Sequence, residues 1–254
     1  MEDEKDTNVS EIKVISNWKR FIVPIFLLIA IGGTVYLVNL SDNWFMGEKI
    51  TEYEVNGLNL NDSDKFFELA KKISFGKTKD SVILKKIEEE VEKDAYIKKC
   101  VASFASQSMI SLDLVERYPF AFYNIGGNLN YIDQEGTILP YKVLKDYSDL
   151  VIVSGFLTTD TTLIKAAINI IDELNKKQEV LDFVSEIRYI DDEKGFELIG
   201  PFEKAKIYLG LDDNIENKFD KLRILMSDRS ARVLLTSVKT VDLRWLDRIV
   251  IEEI

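Results

Sequence analysis

The chain contains no histidine and only one cysteine among its 254 residues. Histidine is the commonest general base and the commonest zinc ligand, so its absence excludes Ser-His and Cys-His dyads and histidine-based zinc sites. The single cysteine, Cys100, cannot form an intramolecular disulfide or a thiolate metal cage. It lies in KKCVASFAS, which alternates like a strand, and this favours a buried small apolar residue. We therefore expect no metal site and no cofactor.

Basic residues are too few and too scattered for a protein whose main partner is nucleic acid. There are 33 Lys and Arg against 44 Asp and Glu, a formal net charge of −11. Phosphate binding requires clustered Lys and Arg, and no run overrides this balance. The 46% hydrophobic content is enough for packed cores, and the length allows one large domain or two small ones behind a short tail.

One long stretch lacks charge altogether. Between Phe21 and Ser41, with Leu40 near its end, the chain reads FIVPIFLLIAIGGTVYLVNLS. About 20 apolar residues suffice to cross the hydrocarbon layer, so residues 21–41 are predicted to form a transmembrane helix. The run exceeds the roughly 7–15 residues of a signal-peptide core, and no small-x-small cleavage site follows it cleanly. An uncleaved anchor is therefore favoured over a signal peptide.

The charges that flank this stretch predict its orientation. Lys19 and Arg20 precede it, whereas Asp42 and Glu48 follow it. Under the positive-inside rule, residues 1–20 form a cytoplasmic tail and the part after about residue 42 lies outside.

Residues 48–117 carry strand and helix signals in alternation. EKITEYEVNGLNLND predicts a strand that ends in a turn at Asn56-Gly57, a pair that favours positive φ. Asp62 or Ser63 is suited to cap the next helix. The further predicted elements are a helix beginning near Asp80-Ser81, with Ile83, Leu84, Ile87 and Val91 at helical spacing, and strands over Cys100–Ser106 and Met109–Glu116. This order predicts a small α+β unit.

Residues 118–254 predict a second unit, a mostly antiparallel sheet with two helices against it. The predicted strands are Phe120–Ile125, Leu129–Ile132, Leu150–Val153, Val184–Ile190, Phe196–Ile199, Lys206–Leu209 and a terminal strand region from Val238 to Ile251. The predicted helices are Thr159 to Lys177 and a second one that carries Phe219, Leu222 and Leu225. The fold class is therefore α+β behind one membrane span.

Five short motifs follow one another in these units: YEVNG at residues 53–57, VERYP at 115–119, YIDQEG at 131–136, AKIYLG at 205–210 and VDLRW at 241–245. Their order behind a single N-terminal anchor resembles the FtsQ/DivIB family of bacterial cell-division proteins, and the resemblance covers essentially the whole chain. It implies a short tail, one span, a POTRA domain of order βααββ over 48–117, and a C-terminal β domain that ends in a partner-binding strand.

The stretch from Glu116 to Pro140, ERYPFAFYNIGGNLNYIDQEGTILP, has the residues of a catalytic site but the pattern of a structural frame. Pro119 cannot donate to a ladder and biases its predecessor away from helix, so Glu116, Arg117 and Pro119 are predicted to form a domain junction. Glu116 and Arg117 point to opposite faces of a strand and are not expected to pair.

The following motif, residues 133–136, is predicted to be a hairpin turn. Gly136 is free to take positive φ, and Asp133 is able to bond local backbone.

The catalytic alternative uses Glu116, Asp133 and Glu135 for glycoside hydrolysis. That chemistry needs two carboxyl groups across a cleft, with one of them in apolar surroundings. Acids in an exposed turn and at a strand end do not fit this requirement, so no catalytic residue is assigned.

The segment SVKTVDLRWLDRIVIEEI predicts the binding site. An edge strand presents unpaired N–H and C=O groups to which another chain can add a strand, and an aromatic side chain is a natural anchor. In the alternative, Leu243 and Trp245 pack the core under the last helix, which is favoured for Leu243 but not for Trp245. The predicted partner-binding residues are Asp242, Leu243, Arg244, Trp245, Ile249, Val250 and Ile251.

The resemblance implies a non-enzymatic scaffold of the divisome. It would bind small bitopic coiled-coil proteins (FtsB-like and FtsL-like) and other divisome components, and would link early to late division proteins at the septum. It would sit in the bacterial inner membrane as a single-pass type II protein, in contact with its lipid and with the C-terminal part periplasmic. No small-molecule substrate is expected.

Two alternatives stay open. One is a membrane-anchored cell-wall hydrolase with a carboxylate pair. The other is a POTRA-bearing secretion or assembly component, which usually feeds a β-barrel of many segments of about 10 alternating residues. The region after residue 120 has too few such segments, which ranks this below the scaffold.

Overall fold

The computed structural model describes residues 18–253 except for 158, 194, 201–205, 212 and 228–237. Helix α1 spans Trp18–Met46 and contains the whole predicted span, from Phe21 past Leu40. Its stretch Pro24–Ser41 is long and apolar enough to cross a membrane, and none of it is buried by the rest of the protein. Most of the predicted tail, residues 1–17, lies outside the described residues.

The predicted order strand, helix, helix, strand, strand is found after α1. The elements are β1 (Glu52–Asn56), α2 (Ser63–Ser74), α3 (Leu84–Val91), β2 (Ile97–Phe104) and β3 (Met109–Glu116). The strands form a sheet of order β1-β3-β2, in which β3 runs parallel to β1 and antiparallel to β2. The two helices pack on it around a buried cluster that includes Phe66, Ile87 and Leu112.

Local signals in this unit were predicted well, with one exception. Asp62 caps α2 by accepting a hydrogen bond from the Asp64 N–H, and Gly57 has φ +85°. Cys100 is buried, and burial raises the pKa of its thiol to about 12. The predicted start of the second helix near residue 80 is wrong, because Lys79–Ser81 form a 3₁₀ turn and α3 begins at Leu84.

The second unit is a sheet of order β12-β11-β10-β9-β8-β7-β4-β5-β6 in the described part of the chain. Five of its eight neighbouring pairs are antiparallel, as predicted. The strands are β4 (Ala121–Ile125), β5 (Asn128–Ile132), β6 (Ile138–Pro140), β7 (Ile152–Phe156), β8 (Glu186–Ile190), β9 (Gly195–Ile199), β10 (Lys206–Gly210), β11 (Val238–Asp242) and β12 (Val250–Glu253).

Three helices accompany this sheet: α4 (Thr161–Asn175), α5 (Gln178–Leu181) and α6 (Ile215–Ser227). Asp160 caps α4 by accepting from the N–H groups of Thr162 and Leu163. The core combines side chains of α4 and α6, such as Ile170 and Phe219, with inward-facing strand residues.

The prediction missed β6 and α5, and it merged the last two strands. Val238–Ile251 is a hairpin of two antiparallel strands, with residues 243–249 as its loop.

Candidate functional site

In the part of the chain that the structure describes, one edge of the nine-stranded sheet is β12. Strand β12 pairs with β11 on one side, with Val250 opposite Asp242, Ile251 opposite Val241 and Glu252 opposite Thr240. It is the outermost strand in the sheet order, and all four of its residues are exposed. We call residues 243–253, the loop and this strand, the C-terminal edge. An outermost strand of this kind can accept an added strand.

The two faces of β12 differ in chemistry. Ile251 lies beside Val241, which is fully buried, so Ile251 extends the helix-covered face of the sheet. Val250 and Glu252 lie on the opposite face, beside a shallow groove of about 630 Å³. Glu252 accepts a hydrogen bond from Lys239 at 2.7 Å, and this bond lowers the pKa of Glu252. The side chains of an added strand would therefore lie beside apolar Ile251 on one face of the sheet. On the other face they would lie beside both an apolar residue, Val250, and a charged one, Glu252.

The loop divides its side chains between the core and the surface. Leu243 is 0% exposed, and its N–H donates to the Tyr208 carbonyl at 2.9 Å. This favours the packing alternative for Leu243, whose side chain is not available at the surface. Trp245 is 53% exposed, so the packing alternative does not hold for its indole. Lys221 on α6 donates to the Trp245 carbonyl and ties the loop to that helix.

Arg244 is turned back over the sheet. Its guanidinium donates to Asp242 at 3.0 and 2.8 Å and to Glu193 at 2.9 Å, and it lies over the Tyr208 ring at 5.3 Å. The hydrogen bonds that its guanidinium donates to Asp242 are the main cause that raises the pKa of Arg244. Burial alone would raise the pKa of Asp242, but Arg244 outweighs it and holds that pKa below its ordinary value. The pair closes the turn after β11.

Ile249 is partly buried against the main core. Of the seven predicted partner-binding residues, Trp245, Val250 and Ile251 therefore present apolar surface. Asp242, Leu243, Arg244 and Ile249 hold that surface in place. Partner binding itself stays a prediction.

Tyr208, Glu193 and Lys221 shape this site but were missed by sequence reasoning. Glu193 follows β8 and lies 51 residues from Arg244 along the chain. No local pattern marks such a long-range pair.

The match to a family model spans this site. A model described as FtsQ/DivIB, C-terminal related, matches residues 122–251, just over half of the chain. The chain belongs to the FtsQ/DivIB family. It is also similar to the cell division protein FtsQ of Geotalea daltonii, with 23% identity over 180 residues. That match covers 67% of this chain and 64% of the relative, so the chain spans less than two thirds of that protein's length.

FtsQ/DivIB membership implies a role in cell division. Together with the apolar helix α1, it describes a membrane-anchored division protein. The matched region runs from the second residue of β4 through β11 to the first two residues of β12. It contains the loop that carries Trp245.

The opposite edge of the FtsQ/DivIB sheet is blunted. Strand β6 has three residues and ends in Pro140, which has no N–H to offer. The Pro140 carbonyl is occupied by the Tyr96 hydroxyl, which donates to it at 2.6 Å. Strand addition at this edge is therefore disfavoured, whereas β12 has no proline.

Glu116, the first residue of the ERYP motif, is a structural carboxylate. It is 4% exposed and accepts from the N–H groups of Asn59, Leu60 and Asn61 at 2.6–2.9 Å and from the Asn61 side chain at 2.7 Å. Lys142 donates to the same loop, to the Leu60 carbonyl and to Asn61 Oδ1. Glu116 thus holds the loop within the first unit, and Lys142 ties that loop to the second unit.

Arg117 forms ion pairs across the junction with residues of the second unit. It does not pair with Glu116, as predicted. It donates to Asp133 at 2.6 Å and to Glu135 at 2.9 Å, and Pro119 follows it in the same polar recess. Asp133 Oδ1 accepts from the N–H groups of Glu135 and Thr137, which supports the predicted turn. Gly136 has φ +85°, and the Ile164 side chain of α4 lies 3.2 Å from where a Cβ would be.

The expectation of an exposed turn holds for Glu135 but is wrong for Asp133, and Glu116 at the strand end is buried as well. Asp133 is 5% exposed and Glu116 4%, because the loop before α2 and the Arg117 side chain cover them. Both carboxylates lie among N–H donors rather than in the apolar surroundings that a general acid needs. This supports the interpretation of the stretch as a frame.

Proposed function

We propose that this FtsQ/DivIB protein is a non-enzymatic, membrane-anchored scaffold of the division machinery. In this proposal the C-terminal edge binds one strand of a small bitopic coiled-coil partner, FtsB-like and joined by an FtsL-like protein. The scaffold thereby links early to late division proteins at the septum.

The observation that carries the proposal is the contrast between the two edges of the nine-stranded sheet. Strand β12 is exposed along its whole length, whereas β6 is short, ends in proline and is tied to Tyr96. Main-chain hydrogen bonds supply affinity in strand addition, and pockets for alternate side chains supply specificity. The half-exposed Trp245 lies in the loop that leads into β12 and serves as the anchor.

The chemistry of β12 suggests the character of the added strand. A side chain beside Ile251 extends the apolar face that Val241 begins, so an aliphatic residue fits there. Glu253 follows on that same face and favours a basic neighbour. We infer a partner strand that alternates and carries both an aliphatic and a basic residue on one face.

We infer a type II topology, with residues 1–20 in the cytoplasm, the two folded units outside and enrichment at the division site. The positive-inside pattern of Lys19 and Arg20 supports the orientation. Family membership supports the site of action.

The test is site-specific photo-crosslinking in growing cells with the full chain. A photoreactive residue at position 251 is expected to crosslink a small bitopic division protein, and Trp245→Ala is expected to weaken that crosslink at least several-fold. The same label at Val143, an exposed aliphatic residue far along the chain in the same unit, is the matched control and is expected to give no such product.

Three results would overturn strand addition at β12. These are crosslinking from 251 to no division protein, equal yields from 251 and 143, and an unchanged yield in Trp245→Ala. Turnover of peptidoglycan fragments by the purified chain would instead favour the hydrolase.

A further inference from the structure

One segment is basic within a strongly acidic chain. Residues 75–86 read FGKTKDSVILKK, with four lysines and one aspartate, whereas the whole chain has a net charge of −11. The segment links α2 to α3 and includes the first three residues of α3. We call it the basic end of the first unit.

Backbone hydrogen bonds hold the basic end next to the membrane helix. The Ile50 N–H donates to the Lys77 carbonyl and the Gly76 N–H donates to the Ile50 carbonyl, both at 2.9 Å. Lys49 forms a β-bridge with Thr78. Helix α1 ends at Met46, and the three residues from there to Lys49 span at most about 11 Å when fully extended. The basic end is therefore confined to the neighbourhood of the bilayer surface.

Two large apolar side chains are exposed on the basic end. Phe75, which ends α2, is 55% exposed, and Ile83, just before α3, is 69% exposed. Exposure of these apolar side chains to water is unfavourable, whereas aromatic and aliphatic side chains are stable at a membrane interface.

Lysines line a groove beside these residues. The groove has a volume of about 400 Å³ between α2 and α3, with Leu69 and Ile73 as its apolar residues and Lys72, Lys77, Lys86 and Glu90 as its charged ones. Glu90 is paired with Lys93 at 2.5 Å, so the groove keeps a positive excess. The hydrogen bond from Lys93 lowers the pKa of Glu90, and Lys86 and Lys72 add to this.

Acidic residues near the basic end reduce its excess of positive charge but do not cancel it. They are Glu48 and Glu52, which flank Lys49, Asp80 inside the segment, and Glu68, Glu88, Glu89 and Glu90 on the two helices. Glu68, Glu89 and Glu90 are paired with Lys71, Lys85 and Lys93, and Glu88 accepts from the Ala102 N–H. Against Glu48, Glu52 and Asp80 then stand Lys49, Lys72, Lys77, Lys79 and Lys86. A surface with this balance attracts anionic headgroups.

We propose that the basic end binds anionic phospholipid headgroups of the membrane that α1 crosses. Lys72, Lys77 and Lys86 contact lipid phosphates, and Phe75 and Ile83 insert among the headgroups. The first unit is then held to the membrane at two places, by α1 and by the basic end. The second contact fixes the tilt of this unit relative to the bilayer, whereas α1 alone would leave that tilt free. The site lies on a different unit from β12 and does not depend on partner binding.

The experiment uses the full chain in lipid nanodiscs with a nitroxide spin label at position 75. Cys100 is buried and its thiol pKa is raised to about 12, so a Phe75→Cys variant is labelled selectively. Val143→Cys, at an 82% exposed site in the other unit, is the control. The measured quantity is the accessibility of each label to an aqueous nickel chelate.

In discs that contain phosphatidylglycerol, the label at 75 is expected to be at least severalfold less accessible than the label at 143. In pure phosphatidylcholine the difference is expected to shrink. The triple variant K72E/K77E/K86E is expected to restore access at 75, whereas K99E/K145E/K165E, the same charge change on exposed lysines elsewhere, is expected not to.

Equal accessibility of both labels in anionic discs would overturn the proposal, and so would protection at 75 that does not depend on phosphatidylglycerol. Protection that appears in pure phosphatidylcholine on addition of inorganic phosphate would assign the site to a free anion instead. The comparison of the two lipids needs no charge variant, so a misfolded triple variant leaves the test intact. Loss of partner crosslinking at 251 with protection at 75 retained would count against the proposed function alone.

Discussion

The carboxylate of Glu88 accepts a hydrogen bond from the backbone N–H of Ala102 at 2.8 Å. One helical turn later, Glu92 accepts from the N–H of Cys100 at 2.9 Å. A four-residue step along a helix covers about 6 Å and a two-residue step along a strand about 6.7 Å, so the two pairs match in spacing. Strand β2 is the outer strand of its sheet, and α3 therefore occupies two donors that an added strand would need.

Removal of these carboxylates is expected to open the β2 edge. In the double variant E88A/E92A the amides of Cys100 and Ala102 lose their acceptors, and their hydrogen exchange is expected to accelerate by about tenfold or more. The exposed free edge is also expected to promote self-association of the full chain in detergent. Glu89, on the same helix and paired with Lys85, is the matched control in E89A. Unchanged exchange at both amides in E88A/E92A would contradict the guarding role.

Glu116 is expected to be a major stabilising residue. Its removal in E116A leaves the N–H groups of Asn59, Leu60 and Asn61 without their acceptor in a partly buried loop. The expected loss is about 3 kcal/mol in the free energy of unfolding, measured by denaturant titration of the detergent-solubilised chain. E135A, at an exposed carboxylate, is expected to cost much less. Equal losses in the two variants would contradict the role assigned to Glu116.

Substitutions at Leu243 and Trp245 are expected to affect different properties: the first lowers stability and the second weakens partner binding. L243A removes a fully buried side chain and is expected to cost about 2–5 kcal/mol, whereas W245A is expected to cost about 1 kcal/mol or less. Partner crosslinking from position 251, measured at a temperature where both variants are folded, is expected to fall in W245A and to persist in L243A. The reverse pattern would place the anchor in the core.

The Asp242–Arg244 pair predicts a pH response with a defined sign. In the native protein the pKa of Asp242 is lowered, so the pair stabilises the fold above the ordinary carboxyl pKa and loses this contribution as the pH falls through the lowered value. In R244Q the guanidinium is gone while the burial of Asp242 and the hydrogen bond from the backbone N–H of residue 244 remain, so the pKa of Asp242 is expected to rise from its lowered value. The free energy of unfolding of R244Q is therefore expected to fall less than that of the native chain as the pH drops through the lowered native pKa.

The measurement is an NMR titration of the Asp242 side chain in R244Q and in the native chain. R248Q is the control, since Arg248 pairs with Asp247 outside the sheet. An Asp242 pKa that stays low in R244Q would show that Arg244 is not its cause.

Local chemistry explains why much of the fold was predictable. Asn56-Gly57, the Asp62 cap and the turn at residues 133–136 depend on residues within a few positions of one another. The alternation in β3 and the spacing in α4 are equally local. Strand β6 was missed because a three-residue strand carries too few positions to show a period.

Burial of polar groups was not predictable in this way. The carboxylates of Glu116 and Asp133 are covered by partners 55–57 and 16 residues away along the chain, and those separations leave no local pattern. The division of the C-terminal segment into two strands was missed for a related reason. Its apolar residues continue through the loop, since Leu243 is needed by the core.

By itself the sequence determined the anchor, the order of elements and the lack of histidine chemistry, because composition and short-range periodicity set these. Only the tertiary structure decided which strand edges stay available. Whether a backbone group is free depends on what packs beside it. Glu88 accepts from the Ala102 N–H, whereas the Tyr96 hydroxyl and the Lys142 ammonium donate to the carbonyls of Pro140 and Leu60. Among the described residues, β12 is left as the outermost strand.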